Sequence, residues 1–132
     1  MEEDTKILFI ENDMHVRKYY EEALINSGFK VDTFMDTESG LKAAKDTPFK
    51  LILIDMTHSD ISINTVVDKL KLTSNASTPV LVGLSLDQLD VLSQALKLGI
   101  KDSYIRFDPR LDNDKKVLNM FLEKVKYFTK NQ

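Results

Sequence analysis

The sequence predicts an α/β domain in which five parallel strands alternate with five helices, in the pattern (βα)5. Aliphatic runs of strand length recur along the chain, and amphipathic helical patterns separate them. The connections are short, and right-handed crossovers between parallel strands place helices on both faces of a sheet. The 132 residues fit one domain, 1–132, which is compatible with a place in a longer protein.

The first third of the chain predicts a strand over Lys6–Ile10, a helix over 14–27 and a second strand over Lys30–Phe34. Gly28 supplies the stop of the helix. The second strand alternates only weakly between apolar and polar residues, which places it nearer the edge of the sheet. One stripe of the helix carries Val16, Tyr20, Ala23 and Leu24.

The middle third predicts a short helix over 37–44, with Thr37 as its N-cap, followed by a central strand over 50–54. Four consecutive aliphatic residues, 51–54, are typical of a strand buried on both faces of a parallel sheet. The next segment carries apolar residues at helical spacing, which predicts a third helix. These residues are Ile63, Val66, Val67 and Leu70.

The last third predicts two strands, over 79–84 and 103–105, with a helix between them that Asp87 caps. A proline is tolerated at the first position of the earlier strand. Asp112 or Asp114 starts the final helix. Its broad apolar face is formed by Val117, Leu118, Phe121, Leu122, Val125 and Phe128.

Composition excludes several classes of protein. The formal net charge is -3, whereas a nucleic-acid-binding domain needs a basic face. There are no cysteines, so disulfides and thiolate metal sites are absent. No apolar stretch approaches the roughly 18 residues of a membrane span. The acidic start, Met1 to Asp4, is unlike a signal peptide, and we expect a cytoplasmic protein.

Acidic residues follow two of the predicted strands. Asp55 comes directly after the central strand, and Glu11, Asn12 and Asp13 follow the first strand. The carboxyl ends of parallel strands form the edge of an open α/β sheet where ligands bind. This pattern predicts a divalent-cation site and an aspartyl nucleophile at that edge.

The order and spacing of these segments resemble the receiver domain of two-component response regulators, over roughly residues 6–128. The resemblance implies a flavodoxin-like sheet of strand order 2-1-3-4-5. The segments that carry it are 7–13, 51–56, Ser85, 94–100 and Arg106.

The resemblance implies that Asp55 accepts a phosphoryl group from a sensor histidine kinase or phosphotransfer protein. Ser85 stands where receivers carry a switch hydroxyl, and Arg106 stands where they carry a lysine. Such a domain controls contacts with a downstream effector protein and has no catalytic product of its own, nor direct contact with nucleic acid or membrane. The implied Mg²⁺ ligands are Glu11, Asn12, Asp55 and the backbone carbonyl of Thr57.

Three residues bear on the charge and the contacts of the implied site: Asn12, Asp13 and Arg106, which keeps the positive charge of the family lysine. Asn12 replaces the second acid of the family pair and brings no charge, which predicts weak Mg²⁺ binding. Asp13 either caps the first helix or substitutes as a ligand. Arg106 has a planar fork in place of a compact ammonium, and a structural salt bridge to Asp55 or Glu11 is an equal alternative to a phosphoryl contact.

The segments around the site also depart from the family. Phe107 stands where receivers have a proline, so that turn must be built differently. Ser103 stands at the position of the aromatic switch, with Tyr104 expected on the opposite face of the sheet. The loop after Asp55 lacks the usual proline and glycine, and it carries His58, which we interpret as an exposed loop residue.

Other functions remain open at this stage. A pseudo-receiver of the same fold would signal by protein contact without phosphate, which the substitutions favour. A flavodoxin-like enzyme or cofactor-binding domain would need a Ser-, Thr- or Gly-rich loop after the first strand, where residues 11–14 are acidic instead. A haloacid-dehalogenase-type hydrolase would need a nucleophilic Asp at the position of Glu11.

Overall fold

The computed structural model describes residues 6–57, 61–111 and 115–130. Five parallel strands form one sheet in the order 2-1-3-4-5, which confirms the predicted architecture. The strands are β1 (Lys6–Ile10), β2 (Lys30–Phe34), β3 (Leu51–Asp55), β4 (Val80–Leu84) and β5 (Asp102–Ile105). The helices are α1 (Met14–Asn26), α2 (Thr37–Ala43), α3 (Ile63–Leu70), α4 (Leu89–Lys97) and α5 (Lys115–Lys130).

The sheet separates two hydrophobic clusters, because successive side chains of a strand point to opposite faces. On one face, Leu8, Ile52 and Val82 pack with residues of α2, α3 and α4. On the other face, Ile7, Leu51 and Leu81 pack with residues of α1 and α5. The central strands are therefore apolar on both sides, as the run 51–54 predicts.

The same alternation brings polar side chains together at the carboxyl edge. The row of β1 that contains Ile7 and Phe9 continues to Glu11, and the row of β3 that contains Leu51 and Leu53 continues to Asp55. Arg106 continues the row of Tyr104 in the same way. The side chains of Glu11, Asp55 and Arg106 therefore lie on the face of the sheet that packs against α1 and α5, just beyond its buried apolar residues.

Several element ends differ from the predictions. Asp36, not Thr37, is the N-cap of α2, because its carboxylate accepts a hydrogen bond from the Ser39 N–H at 2.7 Å. Thr37 is a buried residue of the first turn. Asp87 does not cap α4: the N-cap position is Gln88, and it makes no side-chain cap bond.

Other ends agree with the sequence within a residue or two. Gly28, with a φ of 97°, ends α1, because this left-handed conformation favours glycine. Asp55 is the last residue of β3 rather than the first residue after it. The predicted start of the last helix, at Asp112 or Asp114, lies outside the described residues. No helix within the described residues is long and apolar enough to cross a lipid bilayer.

A buried asparagine joins the two loops that precede β3 and β4. The Asn75 side-chain oxygen accepts hydrogen bonds from the Phe49 N–H at 2.8 Å and the Thr78 hydroxyl at 3.0 Å. Its side-chain nitrogen donates to the carbonyl oxygens of Ala44 at 2.7 Å and Thr47 at 2.8 Å. Three of these bonds join two loops that are far apart in sequence, and the bond to Thr78 lies within the loop that precedes β4.

Replacing Asn75 with alanine should lower the free energy of unfolding by about 3 kcal/mol, because buried backbone groups lose their partners. Urea denaturation would measure the change. Asn64→Ala is the matched control: Asn64 is exposed, and among the described residues its side chain bonds only that of Gln94, so its loss should change stability by about 0.5 kcal/mol or less. Equal effects of the two substitutions would contradict the structural role of Asn75.

Candidate functional site

Asp55 lies at the carboxyl end of the central strand, with its side chain only 4% exposed. Its Oδ1 accepts hydrogen bonds from the Thr57 N–H at 2.9 Å and from the Thr57 hydroxyl at 2.5 Å. No donor from residues 6–57, 61–111 or 115–130 pairs with Oδ2. One oxygen is therefore held in place, and the other is available for chemistry.

Glu11 and Arg106 form a buried ion pair beside Asp55. The Arg106 Nε donates to Glu11 Oε1 at 3.1 Å, and Nη2 donates to Oε2 at 2.8 Å. The same Nε lies 3.5 Å from Oδ1 of Asp55. Arg106 is positioned by its own N–H, which donates to the carbonyl of Leu84 at 3.0 Å. One guanidinium therefore contacts both carboxylates of the edge, through a fork that a lysine does not offer.

Burial governs the proton affinity of Glu11, whose side chain is 0% exposed. Desolvation raises the pKa of Glu11 above its ordinary value, and the charge of Asp55 adds to this increase. The hydrogen bonds from Arg106 oppose the increase without cancelling it. The pKa of Arg106 is raised, chiefly by its hydrogen bonds to Glu11, so the guanidinium stays charged.

Asp13 caps α1 and is not free to bind a metal. Its Oδ1 accepts from the N–H groups of His15 at 2.8 Å and Val16 at 3.1 Å. Its Oδ2 accepts from Arg110 at 2.6 Å, and Arg110 also pairs with Asp108 at 2.7 Å. The Val16 bond is the main reason that the pKa of Asp13 is lowered. Arg110 lowers the pKa of Asp108 to about 2.

The oxygen atoms at this edge suit Mg²⁺ in type but give little charge. Both oxygens of Glu11 are occupied by Arg106, and Asn12 is exposed and neutral. Glu11, Asp55 and Arg106 together leave one net negative charge. Across the described residues, no group of three or more acidic or histidine side chains is arranged to hold a metal ion. The ligand roles of Glu11, Asn12, Asp55 and the Thr57 carbonyl remain predictions.

Ser85 lies directly after β4, but its hydroxyl is engaged within its own loop. The hydroxyl donates to the carboxylate of Asp87, and it lies 2.9 Å from Oε1 of Gln88. The Ser85 N–H also donates to that Gln88 oxygen at 2.9 Å. A contact between Ser85 and a group on Asp55 would require the hydroxyl to leave Asp87 and Gln88.

An aromatic anchor builds the turn after β5 in place of a proline. Phe107 is buried, and its N–H donates to the Tyr20 hydroxyl at 3.2 Å. That hydroxyl lies 3.4 Å from the carbonyl oxygen of Ile105, to which it donates. The Tyr20 ring packs against Phe107 at a centroid distance of 5.6 Å. These contacts fix the backbone on both sides of Arg106.

Tyr104 is buried on the α1 and α5 side of the sheet, opposite the face that the adjacent Ser103 occupies, as the sequence predicts. Its ring packs against Phe121 at a centroid distance of 5.1 Å. Its hydroxyl is buried without a hydrogen-bond partner among the described residues. Leaving such a group unpaired costs about 1–3 kcal/mol.

Sequence reasoning missed two residues around this edge, Arg17 and Arg110, and it placed Tyr104 on the correct face without relating it to the carboxylates. The side chain of Arg17 donates to the backbone carbonyl of Glu11 at 2.7 Å. Arg110 bridges Asp13 and Asp108, and Tyr104 lies behind the carboxylates. Only Arg17 could have been found from the sequence. It lies in the first turn of α1, and α1 follows the acidic cluster 11–13, so a contact between this cation and the cluster could be expected. His58 lies outside the described residues.

No family model matches the chain. It is 28% identical over 97 residues to the transcriptional regulatory protein QseB of Haemophilus influenzae, and 26% identical over 101 residues to the transcriptional regulatory protein PcoR of Escherichia coli. These matches cover 74% and 76% of this chain, but only 43% and 44% of the relatives. The chain therefore spans less than half the length of the curated relatives it matches.

Solved structures show the same fold. The Francisella response regulator 1452 receiver domain has a TM-score of 0.77 and 19% identity, covering 96% of this chain and 97% of its own. A two-component response regulator from Clostridium difficile has a TM-score of 0.74 and 22% identity, covering 96% and 97%. The BeF3-activated DrrB receiver domain has a TM-score of 0.72 and 23% identity, covering 98% and 100%.

Arg106→Leu should lower the free energy of unfolding by about 3–5 kcal/mol at pH 7, because it leaves Glu11 buried without its partner. Part of this loss in the free energy of unfolding should be recovered as the pH falls towards the ordinary pKa of a glutamate, because Glu11 then becomes protonated and neutral. Because the pKa of Glu11 is raised in the folded state, folding favours the protonated acid, and stability falls as the pH rises through that pKa.

Urea denaturation at pH 5 and pH 7 measures both parts of this prediction. Arg110→Leu is the control, since Arg110 is exposed and pairs with the partly exposed acids Asp13 and Asp108; it should change stability little at either pH. A variant of Arg106 as stable as the parent chain at pH 7 would contradict the role of the buried pair.

Proposed function

We propose that this chain, which is similar to response regulator receiver domains in fold and in sequence, is a receiver domain that accepts a phosphoryl group on Asp55. One observation carries the proposal. Asp55 stands at the carboxyl end of the central strand, with Oδ1 held by Thr57 and no described donor on Oδ2. A carboxylate oriented in this way presents one oxygen for attack on phosphorus.

The donor in this proposal is a phosphohistidine of a kinase or phosphotransfer protein. Asp55 Oδ2 forms the new bond to phosphorus while the bond from phosphorus to the histidine nitrogen breaks, and the electron pair leaves with the imidazole. The product is an acyl phosphate on Asp55. Mg²⁺, when bound, would neutralise part of the charge on the transferred group.

Arg106 supplies positive charge next to the reacting group. Its Nε lies 3.5 Å from Oδ1 of Asp55, and its Nη1 is not bonded to any described residue. That nitrogen is available to donate to a phosphoryl oxygen while the other two hold Glu11. The phosphoryl group would carry about -1.5 to -2 charges in place of the single charge of the Asp55 carboxylate, and this guanidinium partly offsets them.

A second candidate, a receiver that signals by protein contact without phosphate, is favoured by the position of Arg106. Its guanidinium already contacts both Glu11 and Asp55, so the carboxylates are paired before any ligand arrives. Ser85 is likewise occupied by Asp87 and Gln88. In this alternative the ion pair is structural, and Asp55 takes no phosphoryl group.

In either case we propose a module that controls binding to a downstream effector protein in the cytoplasm. The curated relatives are transcriptional regulatory proteins of more than twice the matched length. An effector segment in the same polypeptide is therefore part of the proposal. In the first candidate the domain takes and loses a phosphoryl group, and in neither candidate does it turn over another substrate.

Incubation with acetyl phosphate and Mg²⁺ should add the mass of one phosphoryl group, because the free oxygen of Asp55 can attack this small donor. Intact-mass spectrometry measures the gain, and Asp55→Asn should abolish it. Asp32→Asn is a matched control, since Asp32 lies in the middle of β2, away from the carboxyl edge. Its carboxylate pairs with Lys6 of β1. A wild-type chain that stays unmodified under these conditions supports the phosphate-independent candidate.

Asn12→Asp should tighten Mg²⁺ binding by about tenfold, equivalent to about 1.4 kcal/mol, because it restores a charge beside Asp55. Titration calorimetry would compare the affinities of the two chains. Asn64→Asp adds the same charge on α3 and controls for a change in net charge alone. Equal Mg²⁺ affinity in the Asn12 and Asn64 variants would show that position 12 is not a ligand.

A further inference from the structure

The hydroxyl of Tyr104 is the buried polar group that the proposed mechanism leaves without a role. Tyr104 is 2% exposed, and no described residue pairs with its hydroxyl. Buried hydroxyl groups are almost always hydrogen-bonded, so this one needs a partner close by. Tyr20, in the same aromatic cluster, shows the contrast, since its hydroxyl bonds Ile105 and Phe107.

Gly83 directs the Tyr104 ring towards Asp55. In the register of the sheet, Gly83 pairs with Asp55 on one side and with Tyr104 on the other. A Cβ atom added to Gly83 would lie 2.6 Å from both the hydroxyl oxygen and Cζ of Tyr104. The end of the phenol ring therefore lies over the glycine, across β4, where any side chain at position 83 would exclude it.

Two carboxylates act on the Tyr104 hydroxyl, those of Asp55 and Glu11, and only Asp55 has an oxygen without a described donor. Both oxygens of Glu11 are engaged by Arg106, and Oε2 also accepts from the Asp13 N–H. Oδ1 of Asp55 holds Thr57, which leaves Oδ2 without a described donor. The negative charge of Asp55 acts on the Tyr104 hydroxyl: after burial, it is the largest contribution to the raised pKa of Tyr104.

We propose that Tyr104 is a positioning residue whose hydroxyl is linked to the Asp55 carboxylate through one ordered water, since no direct hydrogen bond joins the two side chains. The contact comes from inside the protein and complements Thr57, which holds the other oxygen from the loop. Gly83 provides the space that the phenol needs. This water-mediated hydrogen bond stands independently of phosphorylation, whereas its role in orienting Asp55 for attack rests on the proposed function.

The hydrogen bond can be tested by NMR of the chain with tyrosines labelled at Cζ. We expect a slowly exchanging Tyr104 hydroxyl proton with a downfield shift, as for a buried hydroxyl that donates to an ordered water held by a carboxylate. In Asp55→Asn this resonance should move upfield, whereas the Tyr20 hydroxyl, which donates to a backbone carbonyl, should not move. The same Tyr104 shift in both chains would overturn the proposal, whether or not Asp55 is ever phosphorylated.

The positioning role can be tested with two variants that remove the contact in different ways. Tyr104→Phe keeps the ring but loses the donor, and Gly83→Ala keeps the donor but displaces the ring. Each should slow phosphorylation by acetyl phosphate about tenfold, a size expected when a reacting group loses its orientation. The double variant should be no slower than either single one, since both act through one contact.

Tyr104→Phe alone keeps the test decisive, even if Gly83→Ala folds poorly. This variant should fold like the parent chain because the packing of the ring is retained, and its urea midpoint should fall only by the loss of about one hydrogen bond. A parent rate of phosphorylation in this variant would overturn the positioning role. A parent chain that takes no phosphoryl group would instead count against the proposed function, and the NMR comparison would still decide the hydrogen bond.

Discussion

The pairing of Glu11 with Arg106 joins two strands that do not touch. In the sheet order 2-1-3-4-5, β3 and β4 lie between β1 and β5. Glu11 follows β1 and Arg106 follows β5, so the ion pair spans the carboxyl ends of both intervening strands, and Asp55 lies beside it. A buried carboxylate without this partner would oppose folding, so the turn that presents Arg106 must be fixed. Phe107 and Tyr20 fix it.

Local patterns predicted the fold well, because the aliphatic residues of each strand and the periodicity of each helix indicate that element without reference to the rest of the chain. The strand order rested on the family resemblance, since periodicity does not specify which strands are neighbours. The cap of α2 was misplaced by one residue because Asp36 and Thr37 are both good N-caps, and only the backbone geometry distinguishes them.

The candidate site was predictable in its residues but less so in its contacts. Asp55 and Glu11 were named from strand ends and Arg106 from the family resemblance, and the salt bridge was one of two open alternatives for Arg106. The partners of Ser85 and the fit of Tyr104 over Gly83 were not visible, because they depend on rotamers and on register across strands. Contacts between residues 95 positions apart, as for Glu11 and Arg106, leave no mark in a local pattern.

The unusual start of α4 has a consequence for where this domain opens first. Gln88 gives its side-chain oxygen to Ser85 instead of the helix, so the first amides of α4 have no side-chain acceptor. Within this fully described helix, Ala95 alone is completely buried. Few buried contacts and a frayed end mean a small free energy of local opening, so amide hydrogens in this turn should exchange with solvent early. Any partner that recognises the loop 85–88 would therefore bind next to the first turn of α4, a segment with a low free energy of local opening.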